Sequence, residues 1–116
     1  MALEQSERAV LVVHVEIDEE DVDELNRWYE EEHGPERMAM PGFLSMRRFR
    51  CHDGSPRFLA IYELENGDAA TSPAYMGRQQ SQWSKDVQAK WKQWDRNVWV
   101  QISSATAGDG GSSATH

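Results

Sequence analysis

The sequence predicts an α+β fold with the element order β-α-β-β-α-β, a ferredoxin-like four-stranded antiparallel sheet with two principal helices. Three observations lead there. A β-branched run, Ala9 to Ile17 (AVLVVHVEI), passes directly into a stretch of helical period. Two apolar runs, Phe43 to Cys51 and Arg57 to Leu64, flank the turn residues His52-Asp53-Gly54-Ser55-Pro56 and so form a hairpin. A second helical stretch then precedes a last short apolar run, Val98 to Ile102.

In the first strand, alternation puts Val10, Val12, His14 and Glu16 on one face and Leu11, Val13, Val15 and Ile17 on the other. Both faces are largely apolar, so both are expected to be covered. The helix that follows takes Asp18 as N-cap with Asp21 three residues on, and Glu19 and Glu20 favour the positive end of its dipole. At about 100° per residue, Val22, Leu25, Tyr29 and His33 share one inward stripe. Gly34-Pro35 is expected to weaken the helix just past His33, with a shorter turn through Glu36 and Met40 after it.

The third strand sets Phe58, Ala60 and Tyr62 against Leu59 and Ile61 on its other face. Beyond Asn66, Asp68 is the expected cap of a short helix through Ala70, interrupted at Ser72-Pro73. Ser81 to Arg96 reads as a longer helix with Trp83, Val87, Trp91 and Trp94 on one stripe, read as core. The expected organisation is a flexible start over 1–8, one domain over 9–102 and a disordered tail over 103–116, which has almost nothing apolar to bury. Two helices cover one sheet face only. A second copy, packed sheet on sheet as a homodimer, is the economical cover for the other.

A chain of 116 residues supports one modest core. Its 20 acidic against 12 basic residues, net −8, exclude a phosphate-backbone binder, so no nucleic-acid partner is expected. The first ten residues lack the charge pattern of a signal peptide and no run approaches a membrane span, which makes a cytoplasmic protein with no membrane partner the expectation. Cys51 is the only cysteine and can form neither an internal disulfide nor a cysteine zinc site. Dinucleotide-binding, P-loop, zinc-peptidase and serine-hydrolase motifs are missing. His33 and Glu36 could share a metal only without Gly34-Pro35 between them, so no metal is expected.

Trp28-Tyr29 with His33 and Pro35, Pro41-Gly42-Phe43 leading into Arg47-Arg48, and Ser72-Pro73-Ala74-Tyr75 together resemble the EthD-like members of the dimeric α/β-barrel superfamily. The resemblance spans about residues 8 to 103. It implies a dimeric α/β barrel, no cofactor, and a ligand cavity between each sheet and its own helices. It also implies proton transfer by His and Tyr side chains, with His33, Tyr29 and His14 as catalytic candidates and Trp28, Arg48, Tyr62, Ser72 and Trp99 as substrate contacts. Ser72 departs from the polyketide-cyclase branch, which carries a histidine just before the Pro-Ala pair. His14 sits among valines, where it either bonds a structural partner or lines the cavity. Of Arg47 and Arg48, which face opposite ways, Arg48 is taken as the inward one.

Two function classes follow. One is a cofactor-independent isomerase, cyclase or lyase in which His33, its pKa tuned near neutrality by burial, moves a proton on a small aromatic or lactone-like carbonyl compound. Tyr29 or His14 would steady the enolate. The other is a non-catalytic small-ligand-binding or accessory dimer, and a haem-using or cofactor-free monooxygenase stands third. A ligand-sized cavity lined by His33 and a second polar group discriminates between them.

Overall fold

The computed structural model describes residues 8–54 and 56–108. Four strands, β1 (Ala9–Glu16), β2 (Phe43–Arg50), β3 (Arg57–Leu64) and β4 (Gln93–Val100), form one antiparallel sheet in the order β2-β3-β1-β4. This is the ferredoxin-like α+β architecture. β1 pairs β3 from Ala9↔Leu64 to Glu16↔Arg57, and it pairs β4 from Ala9↔Val100 to Glu16↔Gln93. An irregularity between Phe43 and Ser45 resets β2 so that Met46 lies opposite Tyr62 and Arg48 opposite Ala60.

The helices cover one face only. There, Leu11, Val15, Tyr62 and Leu64 from the sheet meet Leu25, Trp28 and Val87, all essentially fully buried. The opposite face carries half-buried Val10, Val12, Leu59 and Ile61, with Phe49 and Trp99 exposed beside them. A contiguous apolar sheet face of this kind is unusual on a monomer.

After a 3-10 turn at Glu19–Asp21, α1 (Val22–Trp28) runs through a π-helical turn, Tyr29–His33, straight into α2 (Gly34–Met38). The expected weakening at Gly34-Pro35 does not interrupt the helix. Pro35 lacks an N–H and its ring crowds the preceding turn, and the widened turn accommodates both defects. A Cβ on Gly34 would lie 2.6 Å from the Tyr29 carbonyl oxygen, so only glycine fits where the turn closes. Asp18 sits at the cap position without capping through its side chain, which instead receives Lys92 Nζ at 3.0 Å.

Between β3 and β4, Asn66 rather than Asp68 caps a 3-10 turn at Gly67–Thr71, accepting the Asp68 N–H at 2.9 Å. Ser72 then caps α3 (Pro73–Met76), and Ser81 caps α4 (Gln82–Ala89). The helix expected to reach Arg96 therefore ends at Ala89, and the last strand begins at Gln93 instead of Val98. Spacing alone is ambiguous here, because Trp91, Trp94 and Val98 suit a helix while Trp94, Arg96, Val98 and Val100 suit a strand. Strand pairing decides it, since β1 has an edge whose backbone groups need partners along its whole length. Residues 103–108 carry no helix or strand and are exposed. The rest of the expected tail, 109–116, and residues 1–7 of the expected flexible start lie outside the described residues, as does Ser55 of the hairpin turn. Among the described residues, no helix is long and apolar enough to cross a membrane.

Candidate functional site

The wide turn between α1 and α2 aims Tyr29 and His33 at the sheet. Trp28, fully buried, lies beneath His33 with ring centres 4.2 Å apart and planes at 25°, and its indole N–H donates to Ser84 Oγ at 3.0 Å. Glu32, on the same turn, accepts from Ser81 Oγ at 2.5 Å and Ser84 Oγ at 2.9 Å. Those bonds, that from Ser81 above all, hold its carboxyl below the usual range. The start of α4 is thereby tied to the turn that carries His33.

His33 is 8% exposed, and its Nε2 lies 2.9 Å from the Tyr62 hydroxyl. Beside the larger effect of burial, the Tyr62 hydroxyl also acts on that of Tyr29, lowering the Tyr29 proton's pKa while its own is raised. With the Tyr62 proton directed to Tyr29, His33 Nε2 donates to Tyr62, and Nδ1, which is buried and unpartnered, keeps a bare lone pair. Burial first, then the charges of Arg37, Arg78 and Arg48, push His33 from 6.5 down to about 2. Burial also raises both tyrosine hydroxyls, Tyr62 well above its ordinary value. At neutral pH the chain His33–Tyr62–Tyr29 is therefore uncharged. The expected tuning of His33 toward neutrality is corrected: its desolvation is not offset by any nearby carboxylate, and three cations add to it.

These side chains open onto a cavity of about 480 Å³ between the sheet and its helices, within the usual size of small-molecule sites. Leu11, Val13, Trp91 and Trp94 give it apolar surface, and Arg37, Tyr75, Arg78, Arg96 and two glutamines, Gln80 and Gln88, complete the polar lining. Trp94 lies on the helix-covered side of the sheet yet is 59% exposed. The helical layer thus stops short over β4, because α4 ends at Ala89. The Tyr75 ring is met by three guanidinium groups, those of Arg37 at 5.2 Å, Arg78 at 4.0 Å and Arg96 at 5.2 Å from its centre.

Of the residues singled out from sequence, His33, Tyr29 and Tyr62 come together in this lining. Trp28 stands behind His33 as support. Arg48 is on the helix-covered side, as expected, but it lies over Tyr29 at 4.1 Å and donates to Asn26 Oδ1 at 2.9 Å without reaching the cavity lining. Ser72 is occupied as a helix cap. His14 and Trp99 are on the opposite sheet face, where His14 Nδ1 lies 3.9 Å from Asp95. The strand's alternation already separated His14 from Leu11 and Val13, and a covalent span of one residue is enough to put it across the sheet.

Sequence reasoning missed Arg37, Tyr75, Arg78, Arg96, Trp91 and Trp94. Arg37 had a signal, standing four residues past His33 on the same helical side. Arg96 and Trp94 were hidden by the helical reading of their segment.

Neither a family model nor a curated protein sequence matches the chain. Solved structures share its fold. A monooxygenase from the gene ActVA-Orf6 of Streptomyces coelicolor, in complex with the ligand Nanaomycin D, superposes with a TM-score of 0.72 at 13% identity, over 92% of this chain and 98% of that one. A dimeric ferredoxin-like protein from an uncultured marine organism gives 0.70 at 9% identity, over 90% and 96%. SnoaB, a cofactor-independent oxygenase from Streptomyces nogalater, gives 0.65 at 13% identity, over 84% and 96%. At these identities the likeness defines the class of fold, ferredoxin-like, and it does not single out the EthD-like branch.

Proposed function

We propose that the chain is a cofactor-independent enzyme acting on a small aromatic or lactone-like carbonyl compound through its enolate or phenolate, as a cytoplasmic homodimer joined by the open sheet faces. The observation that carries this reading is the uncharged chain His33–Tyr62–Tyr29 lining a cavity of ligand size. Each donor in it is strengthened by the one behind, and Tyr29 is the end left to donate to a substrate oxyanion. A neutral imidazole suits this work. It donates through Tyr62 without becoming a cation, while the arginine charges that suppress imidazolium favour the anion on the substrate. Enolisation moves a proton from the α-carbon to solvent water, which reaches the cavity past exposed Trp94, while Tyr29 donates to the oxyanion that forms. No electrons change hands, so the step requires no redox group. The residues that resemble the EthD-like pattern, Trp28-Tyr29 with His33 and Pro35, support that branch by forming the turn on which the chain is built.

A second reading continues the first. Two of the similar structures are named as a monooxygenase and a cofactor-independent oxygenase. An enolate can give electrons directly to dioxygen, converting a methylene and O₂ to a carbonyl and water with no external reductant. Two measurements on a panel of phenols, lactones and anthrone-type ketones test both readings. Deuterium uptake at the α-carbon under argon is expected for enolisation, and dioxygen consumption for oxygenation, each abolished by Tyr29→Phe. A panel with compounds that bind but neither exchange nor consume oxygen would leave a binding module in place of an enzyme.

A further inference from the structure

We infer that the Arg37, Arg78 and Arg96 side of the cavity is an anion-recognition site, and that the compound bound there carries a carboxylate on a planar aromatic frame. The inference deepens the proposed function and rests on its assignment of the cavity as the substrate site.

Each of the three guanidinium carbons lies within 5.2 Å of the Tyr75 ring centre, so no two are separated by more than twice that distance. Three like charges are thus held together, and a ring face compensates them only in part. Arg37 is 4% exposed and its Nη1 is buried without a hydrogen-bond partner; Nε of Arg78 is in the same condition. Their remaining recorded bonds go to neutral carbonyls: Arg78 Nη1 donates to Tyr75 O at 2.6 Å and Arg96 Nη2 to Ala70 O at 3.0 Å. None of the ion pairs recorded among the described residues involves these three.

Burial holds Arg78 below its ordinary value; Tyr75 opposes it, the charges of Arg37 and Arg96 add to it, and Glu36, an acidic residue acting on it, has the weakest effect of these. A chain with 20 acidic residues places none of them in the described lining of this cavity. A buried cation, Arg37, grouped with two half-buried ones and no counter-ion is costly, and a bound anion lowers that cost. The free N–H groups of guanidinium forks suit the two oxygens of a carboxylate. Trp91 and Trp94, in the same lining, offer faces for a planar ring.

The test is calorimetric titration of the full-length protein at neutral pH with naphthalene carboxylate and with the neutral naphthalene carboxamide of the same shape. The carboxylate is expected to bind about tenfold or more tightly than the carboxamide, with Arg78→Gln and Arg96→Gln each lowering that ratio by about threefold. Both replace half-buried side chains, and circular dichroism checks that each variant folds. Equal affinity for the two probes would overturn the anion site and leave the cavity as a ligand site. An undiminished preference in both variants would overturn it too. If neither probe binds saturably, the anion site and the ligand-cavity reading fall together.

Discussion

Because His33 is held at about 2 against an ordinary 6.5, folding and protonation compete at this one imidazole. The unfolded chain takes up a proton near 6.5 and the folded chain does not until far lower. The stability His33 contributes is therefore fully present above 6.5 and is lost progressively as pH falls toward 2, with a slope of up to about 1.4 kcal/mol per pH unit. Urea unfolding between pH 7 and pH 5 is expected to fall more steeply for the native chain than for His33→Gln, which has no such proton to take up. Parallel curves would show that the folded protein protonates His33 as readily as water does. Helical spacing was enough to turn His33 inward. Its protonation was not legible, because it depends first on how completely packing buries the ring, and then on Arg37 together with Arg78 and Arg48, which come from segments far away in the chain.

Among the elements, the α1–α2 junction depends most on a single atom's absence. Gly34→Ala would bring a methyl group to 2.6 Å from the Tyr29 carbonyl oxygen and 3.1 Å from Met46 Cε. The first neighbour is backbone and cannot swing aside, so the turn itself must shift. A loss of about 1–3 kcal/mol in urea unfolding is expected, as for other overpacked sites. Ligand response should weaken with it, since Tyr29 and His33 move with the turn, and a variant as stable as the native chain would show that the turn relaxes freely. The sequence showed the weak point at Gly34-Pro35 but not its resolution, because widening a turn and ending a helix answer the same proline. At the other end, the helix read through to Arg96 gave way to β4. The alternation Trp94, Arg96, Val98, Val100 allowed either reading, and only the full length of the β1 edge to be paired favoured the longer strand.

At the level of the whole molecule, the question is what covers the second sheet face. Its need for cover was legible in β1, whose two faces are both apolar, and the structure leaves Val10, Val12, Leu59 and Ile61 only half buried there. If two copies pack face to face, Ile61→Glu should place two carboxylates in the joint and split the assembly. Sedimentation is expected to give a dimer for the native chain at micromolar concentration and a monomer for the variant, with the cavity on the other side unchanged. A native chain that sediments as a monomer would sink the idea. The element order and the β2–β3 hairpin followed from the arrangement of apolar runs, whereas the cavity did not, since its extent is set by where α4 stops.

The π-helical turn at Tyr29–His33 also fixes an angular phase. A widened turn holds about one residue more than an α-helical turn, so everything after it is offset by roughly 100° from where uniform winding would carry it. If the same residues relaxed to regular helix, Arg37 would swing about that far around the axis relative to Leu25 and Trp28, which anchor the first half in the core. Its guanidinium would leave Tyr75, and one of the three cations with it. The helix thus works as a gear with one tooth too many, and the surplus residue keeps its core-facing half and its cavity-facing half in register.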